Sequence, residues 1–170
     1  MRLLISTALT TLVAGSAFAG DAAIGIDIPR LTVVEYHKPY LAFWLENADG
    51  SKVVSLAVWY DTKLRDNEGT KWLKDMRQWW RRTGRELTMP ADGLSSPTRA
   101  PGTHQIVFDS AATPLKDLAP GGYQLVIEAA REVGGRELLR IPFEWPPKAP
   151  VNLDVKGENE IGAVTLKLTP

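Results

Sequence analysis

The chain holds two histidines, His37 and His104, and no cysteine. Zinc sites of the usual kind draw their ligands from Cys and His, so that chemistry lacks its residues here. His104 opens an apolar alternating stretch and reads as a surface or capping residue before it reads as a ligand. There is no nucleophile elbow, no glycine loop for phosphate and no pair of histidines one helical turn apart. Glu128 and Glu132 share a helical or strand-end spacing, but such pairs are common and need geometry before they imply acid–base work. These readings argue against an enzyme and supply no catalytic residue, no metal site and no cofactor site.

The most unusual concentration of residue types is aromatic and basic. Within Lys71 to Arg82, Trp72, Leu73, Met76, Trp79 and Trp80 fall at helical spacing, with Lys71, Lys74, Arg77, Arg81 and Arg82 on the remaining surface. The cations at the end of this segment complement a helix dipole, and Gly84 reads as its stop. Adjacent Trp79 and Trp80 cannot both point inward. One is therefore expected at the edge, beside Arg77, Arg81 or Arg99, where an aromatic face next to guanidinium groups suits an anionic ligand or an acidic loop of a partner. Arg77, Trp79, Trp80, Arg81, Arg99 and His104 form the candidate binding surface. The competing reading makes the same stripe a lid packed over a sheet, with the arginines in water.

The elements that would position this segment are mainly strands. Leu41, Phe43 and Leu45 alternate with Tyr40, Ala42, Trp44 and Glu46, and Asn47-Ala48-Asp49-Gly50 supplies a turn in which Gly50 takes a positive φ. The returning strand, Lys52 to Tyr60, is expected to place Val54, Leu56, Val58 and Tyr60 on one face. Val53, Ser55, Ala57 and Trp59 take the other. Further strands are expected at Ile24 to Val34 with a break at Pro29, and at His104 to Asp109, Tyr123 to Ala130, Arg136 to Phe143, Val151 to Val155 and Ala163 to Leu168. Gly134-Gly135 marks a hairpin turn, and Arg85 to Gly102, rich in Pro, Gly, Ser and Thr, reads as a long ordered loop. Leu118 to Tyr123 resembles the tyrosine corner of immunoglobulin-like domains. The fold class is all-β, an immunoglobulin-like sandwich with one inserted amphipathic helix.

Arg2, the apolar run Leu3 to Val13 and the ending Ala17-Phe18-Ala19 make residues 1–19 a secretory signal peptide, and residues 20–170 a single domain. The run is shorter than the roughly 20 apolar residues that span a bilayer, so the mature chain is expected to have no membrane anchor. Lysine plus arginine and aspartate plus glutamate each number 20, which leaves no overall field to draw nucleic acid.

Read together, Val58-Trp59-Tyr60, Lys71 to Arg81, Thr98 to His104 and Glu128-Ala129-Ala130-Arg131-Glu132-Val133-Gly134-Gly135-Arg136-Glu137 resemble the predicted periplasmic proteins of domain of unknown function 2271. The resemblance implies a periplasmic location and an immunoglobulin-like fold of the flagellar hook-capping type. It carries over no catalytic residue. Members of that family are often encoded near PepSY-domain membrane proteins and flavin transferases, which implies service to a membrane redox or iron-uptake system.

Three functions from different classes follow. The first is a non-catalytic periplasmic accessory protein that binds a periplasmic or inner-membrane protein. The second is a small-ligand carrier with a pocket under the Trp-rich helix. The third is an enzyme built around a convergent set such as His104 and an acid. Signal-peptidase cleavage is expected before Gly20, so N-terminal sequencing of the exported protein should read Gly20-Asp21-Ala22; a chain that keeps Arg2 would overturn the export reading.

Overall fold

The computed structural model describes residues 21–112 and 114–170. The signal peptide expected over residues 1–19 lies outside them. Among the described residues the strands are β1 (Asp21–Ile28), β2 (Tyr40–Asn47), β3 (Val53–Tyr60), β4 (Ser95–Pro97), β5 (Gly102–Phe108), β6 (Gly121–Ala130), β7 (Arg136–Trp145), β8 (Val151–Lys156) and β9 (Ala163–Thr169). Between β3 and β4 the chain forms 3-10 turns over Arg65–Asp75, the short helix α1 (Arg77–Arg82) and a further 3-10 turn at Gly84–Glu86.

Two sheets pack face to face, with strand orders β5-β1-β9-β8 and β4-β3-β2-β6-β7. β1 pairs with β5, and β6 lies between β2 and β7, as strands B, E, C, F and G pair in immunoglobulin domains. The C-terminal hairpin β8–β9 adds to the free side of β1. The tyrosine corner is present: the Tyr123 hydroxyl, at the start of β6, donates to the Ala119 carbonyl at 2.8 Å. Period-two alternation produces the inter-sheet core, where Ile24, Ile26, Leu41, Phe43, Leu45, Leu125, Ile127, Leu166 and Leu168 are all buried. Burial of each such side chain contributes roughly 1.5–3 kcal/mol.

The expected faces of β3 hold only for its first half. A bulge opposite Phe43 and Trp44 inserts one residue, so that Phe43 pairs with Ala57 but Trp44 pairs with Ser55. Val54 and Leu56 face the inter-sheet core as expected, but beyond the bulge Ala57 and Trp59 do so too, while Val58 and Tyr60 turn outward. An inserted residue shifts the phase of a period-two pattern by one, which alternation alone does not show.

The outward face of the five-stranded sheet is also apolar. Ala42, Trp44, Val58, Tyr60 and Val126 form a second core with Leu73, Met76 and Trp79. The continuous helix expected over Lys71 to Arg82 is instead broken at Met76 (φ −77°, ψ 74°), with 3-10 geometry before it and six α-helical residues after it. Three residues per turn replace 3.6 in the first part, which leaves Trp72 43% exposed while Leu73 is buried. Gly84 is no left-handed stop. It is buried because the Trp79 ring lies against it, where a Cβ would come within 2.6 Å of the indole. The segment expected as an unbroken loop contains β4, a three-residue parallel partner of β3 ending at Pro97, and edge placement is where a strand tolerates proline. The first strand stops before Pro29 and does not resume toward Val34.

The β6–β7 turn is fastened to the β8–β9 turn. Glu137 accepts hydrogen bonds from the backbone N–H groups of Glu158 (2.6 Å), Asn159 (3.1 Å) and Ile161 (2.8 Å). Burial alone would push this carboxyl up, but the surrounding N–H donors outweigh it and hold its pKa below the usual range. A carboxylate lowered in the folded state adds stability above its unfolded pKa, and that stability is lost as the pH falls through the folded value. Glu137→Gln should therefore cost on the order of 1 kcal/mol at neutral pH and flatten the loss of stability below about pH 4.3, the ordinary glutamate value. Urea titrations of both proteins across the acid range would show it, and parallel profiles would refute the assignment.

Candidate functional site

Glu128, on the outward face of β6, has no exposed surface. The break at Met76 frees the first N–H groups of α1, and Glu128 takes two of them, from Gln78 at 3.1 Å and Trp79 at 2.7 Å. Arg136, on the neighbouring β7 and paired there with Ala130, reaches diagonally to donate its Nε–H to the same carboxylate. A charge buried this way is satisfied on each oxygen, and it fixes α1 in rotation and height on the sheet. Trp79 then enters the second core, its indole N–H 3.4 Å from the Ser55 hydroxyl. At the C-terminal end of α1, Arg82 lies 3.3 Å from Glu46, which also accepts from the Trp44 indole at 2.9 Å.

With Trp79 inside, Trp80 lies half-buried at the helix edge, its ring 6.4 Å from that of Trp79. Lys74, Arg77, Arg81 and Arg136 surround it in an open depression of about 400 Å³. Arg81 is steadied on the helix by Nη2 donating to Gln78 Oε1 at 2.8 Å and Nε donating to the Arg77 carbonyl at 3.2 Å. Four cations thus ring one indole, and among the described residues the only carboxylate paired with any of them is the buried Glu128.

Arg99 and His104 do not join this surface. They flank Trp59, which faces the other side of the sheet: the Arg99 guanidinium stands 5.2 Å from the Trp59 ring centre and the His104 ring 6.0 Å from it. His104 Nε2 lies 2.8 Å from the Ala100 carbonyl oxygen, so that nitrogen carries the proton. The six residues grouped from the sequence therefore separate into Arg77, Trp80 and Arg81 on α1, Trp79 in the second core, and Arg99 with His104 at the side of the sandwich where the edge strands β4 and β5 lie. The bulge turns Trp59, which both of them flank, toward the inter-sheet core.

The space between helix and sheet is filled by Leu73, Met76 and Trp79, none with exposed surface. The pocket expected beneath the helix for a ligand carrier is thus occupied by the protein's own side chains. A cleft of about 520 Å³ lies instead at the end of the sheet where β6 finishes, bounded by the segment before β2, the turn after β3, and Trp72 and Asp75 of the 3-10 turns. Sequence reasoning overlooked it because its residues come from five separated segments. A second concavity, about 980 Å³ and mostly apolar, opens at the other end of β6 around Phe143, Trp145, Val151 and Leu153.

Among the described residues no three His, Cys, Asp or Glu side chains converge as metal ligands, and no helix is long and apolar enough to cross a membrane. The fold and its surfaces define an immunoglobulin-like sandwich with one helix laid over the outer face of a sheet. Residues 21–163 match the family described as predicted periplasmic protein, domain of unknown function 2271, and the chain belongs to it. The protein is accordingly periplasmic. No curated protein and no solved structure matches the chain.

Removing Glu128 would leave two helix N–H groups and Arg136 without their acceptor. Glu128→Ala should destabilise the protein by about 3 kcal/mol, the usual scale for breaking a buried ion pair from one side, and should raise the accessibility of Trp79 to acrylamide. Thermal unfolding and fluorescence quenching check this; an unchanged Tm would show that packing alone seats α1.

Proposed function

We propose that the protein is a non-catalytic binding protein of the periplasm that receives an acidic segment of a protein partner on the depression around Trp80. The observation that carries this is the ring of Lys74, Arg77, Arg81 and Arg136 about one half-buried indole. An aromatic anchor supplies apolar contact, and guanidinium groups supply hydrogen bonds matched to carboxylates; Trp and Arg are the residue types that dominate binding energy at interfaces. The helix under them is held by Glu128 and the second core, so little ordering entropy opposes docking. The family resemblance directs the search for the partner to membrane components of redox or iron-uptake systems.

A surface of this kind should bind through charge and weaken with salt. The mature chain, immobilised and exposed to a membrane extract, should retain a partner that mass spectrometry identifies as carrying an acidic periplasmic segment. The double variant Arg77→Glu, Arg81→Glu should retain at least about tenfold less of it, the effect of charge reversal at a steered interface, with an unchanged Tm because both side chains are exposed. Equal recovery by the variant would remove this surface from the function, as would a partner held equally well at high salt.

A further inference from the structure

The cleft at the end of β6 lies apart from the cationic depression and presents charges of both signs around an apolar wall. Its basic side comes from the turn after β6 and the segment before β2. Arg131 is fixed there by two hydrogen bonds to Glu160, from Nε at 2.9 Å and Nη2 at 3.0 Å, and its side chain is only 6% exposed. Beside it the Tyr36 hydroxyl is buried without a hydrogen-bond partner among the described residues. A hydroxyl left unpaired in the fold gains a hydrogen bond when an acceptor reaches it. Burial also pushes the Tyr36 pKa up, so the group remains a donor at neutral pH. Lys38 stands on the same side and is exposed.

The acidic side comes from the turn after β3 and the 3-10 turns, as Asp61 and Asp75. The described ion pairs include neither of them; Asp61 Oδ1 accepts the Lys63 backbone N–H at 3.1 Å, which leaves its other oxygen for a ligand. Two residues run against the division. Glu132 stands on the basic side, but His37 lies against it at 3.5 Å; Lys63 stands on the acidic side and extends into solvent. The wall between the two sides carries Trp72 and Leu64, which are 43% and 42% exposed.

We propose that this cleft binds a short zwitterionic peptide, its terminal carboxylate at Tyr36 and Arg131, its terminal ammonium at Asp61 and Asp75, and a side chain against Trp72. The strand order sets the length. β2 separates β3 from β6, and two inter-strand steps of about 4.8 Å place the two sides about 10 Å apart. An extended peptide advances about 3.3–3.6 Å per residue, so two or three residues bridge them. The cleft volume of about 520 Å³ falls in the range of small-ligand sites. The opposed charges disfavour a ligand with one charged end, because the other side would be left desolvated and unpaired.

The test is titration of the intact mature protein, by calorimetry and tryptophan fluorescence, with dipeptides whose side chains are small, apolar, acidic or basic. The N-acetylated and C-amidated form of each is titrated alongside. At least one free dipeptide should bind, each of its blocked forms should bind about tenfold more weakly, and Trp72→Phe should remove the fluorescence change. Tyr36→Phe should weaken the free dipeptide about tenfold yet leave the C-amidated form unaffected, as expected for loss of a hydrogen bond to a charged group. Asp75→Asn should do the same for the free amine and spare the N-acetylated form. No signal from any dipeptide up to about 10 mM would overturn the proposal, and so would blocked forms that bind as well as free ones.

Discussion

A carboxylate without exposed surface must find all its partners inside the protein, and Glu128 finds them on two different elements. Its place on the outward face of β6 forces a helix N-terminus to sit above it and an arginine to stand beside it on β7. The helix in turn lets the five-stranded sheet carry apolar side chains on both faces. Without α1, Trp44, Val58, Tyr60 and Val126 would lie in water, a patch of a size that soluble proteins seldom leave uncovered. The polar contact sets where the helix goes, and the apolar burial supplies most of the energy that keeps it there.

The ten residues from Glu128 to Glu137 carry part of the family resemblance, and four of their polar side chains serve the fold. Glu128 seats the helix and Arg136 neutralises it. Arg131 pairs with the buried Glu160, whose Oε1 also accepts the Gly135 N–H at 2.9 Å. Glu137 gathers the N–H groups of the β8–β9 turn. Both sheets are joined at this end through these contacts, in a chain that has no cysteine with which to make a disulfide. A strongly patterned motif can therefore record an architectural requirement, and the search for function moves to charges that the fold leaves unused.

Those unused charges occur in two places: Lys74, Arg77 and Arg81 around Trp80, and Lys38 and Asp75 beside Trp72. Arg136 and Arg131, which the fold already pairs, stand among them. Both tryptophans belong to the same short segment, yet the change from 3-10 to α geometry at Met76 sends them to different surfaces. Trp79, between them, has no exposed surface.

Much of this was legible from the sequence alone. Period-two alternation located the long strands among the described residues, except that the first was expected to run on to Val34; Asn47 to Gly50 marked a turn in which Gly50 has φ +70°, and Leu118 to Tyr123 announced the corner that Tyr123 closes. Those signals are local, because strand faces, tight turns and corners are set by neighbouring residues. The phase of β3 beyond its bulge, the short parallel β4, the exposure of Trp72 and the separation of Arg99 and His104 from Arg77 and Arg81 were decided by tertiary structure. Each depends on a partner distant in sequence: β2 opposite the bulge, β3 beside β4, and Glu128 some fifty residues beyond the helix it seats. Alternation and helical period state which residues want burial; only the packed sheets determine which of two apolar faces each one meets.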